Sequence, residues 1–151
     1  VTAGGVAIAA GSLKARGYDT TVPSLIQKFP DATNPGASHQ TITIAEILTG
    51  LLVQDPGGAS TWTLPTAALA VAGVTGVAVG DCIDFAVINI DGDVDVAITI
   101  AAGTDGTLVG NAEVESADTA ANAISSGSAM FRIRFDVVAS GSEEYTAYRM
   151  A

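Results

Sequence analysis

The chain has one cysteine, one histidine and one tryptophan in 151 residues, and only six Lys or Arg against sixteen Asp or Glu. A lone Cys82 excludes an internal disulfide, so oxidative staples play no part in the fold. Cys82 borders a strand-like pattern, and the expectation is a small buried hydrophobe. His39 has no second histidine and only one distant cysteine to work with, which removes a zinc set and any Cys-His or Ser-His pair. It is expected to be an ordinary loop residue. G-x-S-x-G, G-x-x-x-x-G-K-[ST] and G-x-G-x-x-G are all absent, so no nucleophile elbow or phosphate-cradling loop is readable. No apolar run reaches the roughly 20 residues of a membrane-spanning helix. The opening "VTAGGVAIAAG" lacks a basic leader, and a signal peptide is not expected. The net charge of -10, with no base between Lys28 and Arg132, repels phosphate backbones across the middle of the chain. These absences point away from an enzyme, a cofactor, a nucleic-acid partner and a membrane partner.

What remains is rich in small residues, with 17 glycines, and poor in the Lys, Glu, Gln and Arg that favour helices. That composition describes short strands and tight turns. Residues 1–40 mix Pro, Gly, Asn and isolated hydrophobes without a sustained period, and are expected to form an extended arm. Val22, Leu25, Ile26 and Phe29 make this arm too apolar for a solvated linker, so it is expected to dock, with a neighbouring subunit as one candidate. The compact domain is expected to span residues 41–151.

Within that domain, "TITIAEILTGLLVQDPGG" closes on turn chemistry at Asp55-Pro56-Gly57-Gly58, "STWTLP" reads as a short strand, and "PTAALAVAG" is punctuated as a short helix. "INIDGDVDVAITI" carries three acids at alternate positions. Counting from Asp91, an EF-hand loop would need glycine and glutamate where Val96 and Ala102 stand, so the calcium reading fails. Apolar alternation on both sides of Asp91-Gly92 instead predicts a β-hairpin, with "DCIDFAVINI" paired to "VDVAITIAA". "SAMFRIRFDVV" places Phe131, Ile133, Phe135 and Val137 on one face and Arg132, Arg134 and Asp136 on the other. "EEYTAYRM" closes the chain. The expected fold is all-β: an antiparallel β-sandwich, jelly-roll-like, with one short helix and the N-terminal arm. "CIDFAVINI" is apolar on both faces, and a second cover from another subunit is expected.

Few side chains offer chemistry. Glu113 with Glu115, and Glu143 with Glu144, read as solvated acids. Arg132 and Arg134 are expected to pair with acids across strands or subunits. Trp62, Tyr145 and Tyr148 are the candidates for a sugar-stacking platform, although a Trp beside a Leu-Pro turn is more often core.

The order of segments, "TITIAEILTGLLVQDPGGASTWTLPTAALAV", "VGDCIDFAVIN", "AITIAAGTDGTLVGN" and "FRIRFDVVASGSEEYTAYRM", resembles small β-domains of tailed-bacteriophage structural proteins, namely head-fibre, decoration and cement proteins, including those of cyanophages. The resemblance implies a non-enzymatic virion protein on the outer capsid surface, commonly a homotrimer, that binds the major capsid protein lattice and stabilises the head. It implies attachment through the arm, with Lys14, Arg16, Val22, Leu25, Ile26, Lys28 and Phe29 as capsid or subunit contacts. The alternative is a receptor- or carbohydrate-binding fibre tip using Trp62, Tyr145 and Tyr148.

Overall fold

The computed structural model describes residues 31–36, 39–93, 96–116 and 127–151. The arm contacts from Lys14 to Phe29 lie outside the described residues. Nine strands are present among the described residues: β1 (Gln40–Thr41), β2 (Leu51–Gln54), β3 (Ser60–Thr63), β4 (Cys82–Asn89), β5 (Ala97–Ala101), β6 (Gly106–Val109), β7 (Glu113–Glu115), β8 (Ser128–Val137) and β9 (Glu144–Arg149). A single helical turn, α1 (Ile44–Ile47), is held by a capping box between Thr43 and Glu46, inside a stretch whose apolar content masked it. A six-residue helix, α2 (Ala67–Ala72), sits where the sequence punctuation puts it, capped by the Thr66 hydroxyl accepting from the Leu69 N–H.

The strands form two packed sheets, β1-β3-β5-β7 and β2-β4-β8-β9-β6. The antiparallel expectation is corrected here. β1 with β3, β2 with β4, β3 with β5 and β6 with β9 all run parallel, while β4 with β8, β5 with β7 and β8 with β9 are antiparallel. The cause is connectivity: from β1 to β8 nearly every partner is a strand two or more apart in the chain, because successive strands join opposite sheets. A parallel pair needs a long crossover, and here the intervening strand of the other sheet supplies it.

The hairpin expected around Asp91-Gly92 is therefore not a hairpin. β4 and β5 lie in different sheets, and the aspartate-rich segment carries the chain between them. Gly92 is not among the positive-φ glycines. The Asp91 N–H donates to Asn89 Oδ1 and the Asp93 N–H donates to Asp91 Oδ1, so side chains rather than a primed turn shape this crossing.

The core fills the space between the sheets. Leu52, Phe85, Val87, Phe131, Ile133, Phe135 and Ala147 face Trp62, Ile98, Ile100 and Val114, with Ile42, Ile47, Leu64, Ala67 and Ala70 closing the ends. Phe85 and Phe131, opposite each other in register, stack with centroids 5.6 Å apart. Two polar side chains tie one sheet to the other. Asn89, fully buried on β4, donates to the Val96 and Val114 carbonyls at 2.9 and 3.0 Å. Tyr145 on β9 donates its hydroxyl proton to the Pro65 carbonyl and accepts from the Gly103 N–H, both at 3.0 Å. Glycine is required on either side of this strap: a Cβ at Gly103 would strike the Leu64 and Pro65 carbonyls, and one at Gly106 would strike the Tyr145 ring.

Gly106→Ala should cost about 1–3 kcal/mol by overpacking against that ring. Tyr145→Phe should cost about 1–3 kcal/mol by leaving its backbone partners unpaired. Gly58, with open space and no positive φ, serves as the control, and its replacement by Ala should stay within about 0.5 kcal/mol. Urea denaturation of the three variants checks the set.

Candidate functional site

Apolar side chains and an ion pair share the outer face of the five-stranded sheet. Alternation sends Leu52, Phe85, Val87, Ala129 and Phe131 into the core, so their neighbours along the strands face outward. Register lines these up in rows: Leu51 beside Ala86 beside Met130, and Val53 beside Ile88. The Met150 N–H donates to the Met130 carbonyl at 2.8 Å, which extends the first row. Ile90, at 55% exposure, and Met150, at 54%, are among the most exposed large apolar residues described. Both methionines of the chain lie on this face.

One ion pair borders the apolar rows. Arg132 on β8 stands opposite Asp84 on β4, with Arg132 Nε 2.7 Å from Asp84 Oδ1 and Nη2 2.7 Å from Oδ2. The cross-strand pairing expected for Arg132 is present. The guanidinium's hydrogen bonds hold the Asp84 carboxyl below its ordinary range, and the carboxylate in turn pushes the Arg132 pKa up. Arg134 pairs instead with Asp136 on its own strand. Tyr148 is half-buried on the same face, between Arg132 on β8 and Val109 on β6.

Comparison with protein-family models, with curated proteins and with solved structures gives no match.

The three aromatic candidates are not brought together on a surface. Trp62 and Tyr145 are buried, at 0% and 1% exposure, and offer no face to a ligand. Cys82 corrects another expectation, because it is exposed at the start of β4, where its Sγ donates to the Gly80 carbonyl. Alternation points the same way, because Ile83 and Phe85 turn toward the core and Cys82 shares the outward side of β4 with Asp84. His39 accepts from the Thr61 N–H through Nδ1 at 2.6 Å, anchoring the entry to β1. Glu113 and Glu115 are exposed on one side of β7. An open cleft of about 260 Å³ is lined by Asp105, Asp136, Glu144, Tyr145 and Thr146. Its Asp136 carboxylate is already engaged by Arg134 and by the Thr146 hydroxyl. Among the described residues, no three His, Cys, Asp or Glu side chains gather as a metal cluster. Asp91, although buried, leaves Oδ2 without a hydrogen-bond partner.

Two titrations follow. The neutral Tyr145 hydroxyl is favoured by burial, which raises its pKa against the lowering effect of the Gly103 N–H. Its contribution to stability is thus complete below the unfolded tyrosine value of about 10 and is lost as pH rises through the higher folded value. Denaturation midpoints should fall above about pH 10, and less steeply in Tyr145→Phe. Asp84 behaves oppositely: its contribution is present above the unfolded value and is lost as pH falls through the depressed folded one. Arg132→Gln should move the Asp84 carboxyl back up toward its ordinary range, read by carbon-detected NMR titration.

Proposed function

We propose that the chain is a non-enzymatic structural module of a virion surface: a decoration or cement protein that associates with copies of itself and binds the outer face of a major capsid protein lattice. The observation that carries this reading is the apolar outer face of the five-stranded sheet in a strongly acidic chain. Its apolar rows are half-buried at Leu51, Val53, Ala86 and Ile88 and exposed at Ile90, Met130 and Met150, and an apolar patch of this kind marks a contact surface rather than a reaction site. The resemblance in segment order supplies the virion context. Copies of an acidic module repel one another, so apolar contact has to hold them together. Symmetric association multiplies weak attachments to a repeating lattice, which suits a cement protein and a homotrimer.

In this reading, residues 1–30 supply the attachment. They hold Lys14, Arg16 and Lys28 against the single acid Asp19, and they hold the apolar Val22, Leu25, Ile26 and Phe29. The fibre-tip alternative draws less support, because of its three aromatic contacts only Tyr148 is reachable.

The test is co-sedimentation of the purified chain with undecorated capsids of the cognate virus. Full-length protein should saturate the capsids, and protein lacking residues 1–30 should remain in the supernatant while keeping its β-sheet circular dichroism. Decoration at full occupancy by the truncated protein would contradict attachment through the arm.

A further inference from the structure

The buried polar residues of the described fold gather at one end of the two sheets. Gln54 and Asn89 stand opposite each other at the ends of β2 and β4. From Asn89 the chain crosses to the start of β5, where Ala97 lies opposite Glu115 on β7 and Ile98 lies opposite Ser60 on β3. Gln54, Ser60, Asn89, Asp91 and Ser116 therefore share this end, each at 5% exposure or less.

Hydrogen bonds link most of this group. The Asn89 amide donates to the Val96 and Val114 carbonyls, and its Oδ1 accepts from the Asp91 N–H at 3.1 Å. The Ser116 hydroxyl donates to the Asp93 carbonyl at 2.7 Å, and Asp91 Oδ1 accepts from the Asp93 N–H at 2.8 Å. Two buried oxygens, Ser60 Oγ and Asp91 Oδ2, have no hydrogen-bond partner. The carboxylate is the costlier of the two, because a charge at 3% exposure needs a compensating charge or donor. The described arginines do not supply it: Arg132 pairs with Asp84, Arg134 pairs with Asp136, and Arg149 donates to the Glu113 carbonyl. Asp93 and Glu115, exposed at the same end, deepen the negative potential there.

We infer that Asp91 Oδ2 binds a hard cation, calcium, where the chain crosses from β4 to β5. The side-chain and backbone groups of this end are rich in oxygen donors, namely carboxylate, hydroxyl and peptide carbonyl. Calcium accepts such a set in a flexible shell, whereas magnesium demands near-ideal octahedral geometry. The site is not an EF-hand, and among the described residues no three acids converge on it. It is a single buried carboxylate whose remaining ligands are neutral oxygens and water. With so little ligand charge the affinity falls in the weak range, a Kd of about 10⁻⁴–10⁻³ M. The cation neutralises the buried carboxylate and steadies the crossing between the two sheets. This inference requires neither self-association nor a capsid.

The test is a calcium chloride titration of the full-length protein at about 0.15 M ionic strength, followed by amide and carboxyl-carbon NMR. The Asp91 carboxyl carbon should shift and saturate, and so should the amide of Asp93, which donates to Asp91 Oδ1. In Asp91→Asn the response of the Asp93 amide should weaken by roughly tenfold or more in affinity. Glu144→Gln removes an equal charge at the start of β9, opposite Val137 at the far end of β8, and should bind calcium as the parent chain does. Shifts that spread over the exposed acids without saturating would overturn the inference, since they report only general screening of an acidic chain. So would an Asp91 carboxyl that does not move, or an Asp93 response unchanged in Asp91→Asn. If Asp91→Asn does not fold, the titration of the parent chain decides, because its carboxyl signal reads the site directly.

Discussion

Among the described strands from β1 to β8, no two successive ones share a sheet, and this alternation is the constraint on which the rest of the fold depends. Each strand must cross an end of the core before the next can form, so backbone polar groups are repeatedly carried past apolar surface. Buried groups of that kind need partners. Asn89 and Tyr145 provide them at two crossings, each tying a strand of the five-stranded sheet to backbone belonging to the other layer. The glycines beside Tyr145 follow from the same demand, since the strap brings a ring and two carbonyls too close for a Cβ.

The alternation also shapes the surface. Because both sheets send one face to a shared core, the interior strand β4 turns its other face outward, where Ala86 and Ile88 are apolar and half-buried and Ile90, just past the strand, is apolar and exposed. Nearby, Asp84 and Arg132, opposite each other in the register of β4 against β8, neutralise each other in a partly exposed pair whose worth to stability is small. In the proposed self-association, this face is where apolar contact would offset the repulsion between acidic copies.

Period-2 alternation makes several elements legible in the amino-acid sequence. The inward set Phe131, Ile133 and Phe135 on β8, the apolar double face of β4 and the helix between Thr66 and Gly73 are where the residues predict. Strand pairing is not legible in the same way, because alternation states which side chains share a face and says nothing about which strand lies alongside. Asp91-Gly92 shows the difference: the dipeptide suits a tight turn, yet the strands on its two sides belong to different layers. Cys82 shows another limit, since its apolar character suggests burial while its place on the same side of β4 as Asp84, opposite Arg134, leaves it exposed. The apolar rows of the candidate site are legible on β4 alone. Their continuation through Leu51, Met130 and Met150 depends on the register of β2 and β8 against β4 and on the chain end beside β8.

The claim that joins fold to function is that the apolar sheet face is a contact between copies. Native mass by light scattering, at low and at high salt, tests it most directly. The account predicts a defined multiple of the 15.0 kDa chain at both ionic strengths, because apolar contact survives screening. A monomer at both would contradict it.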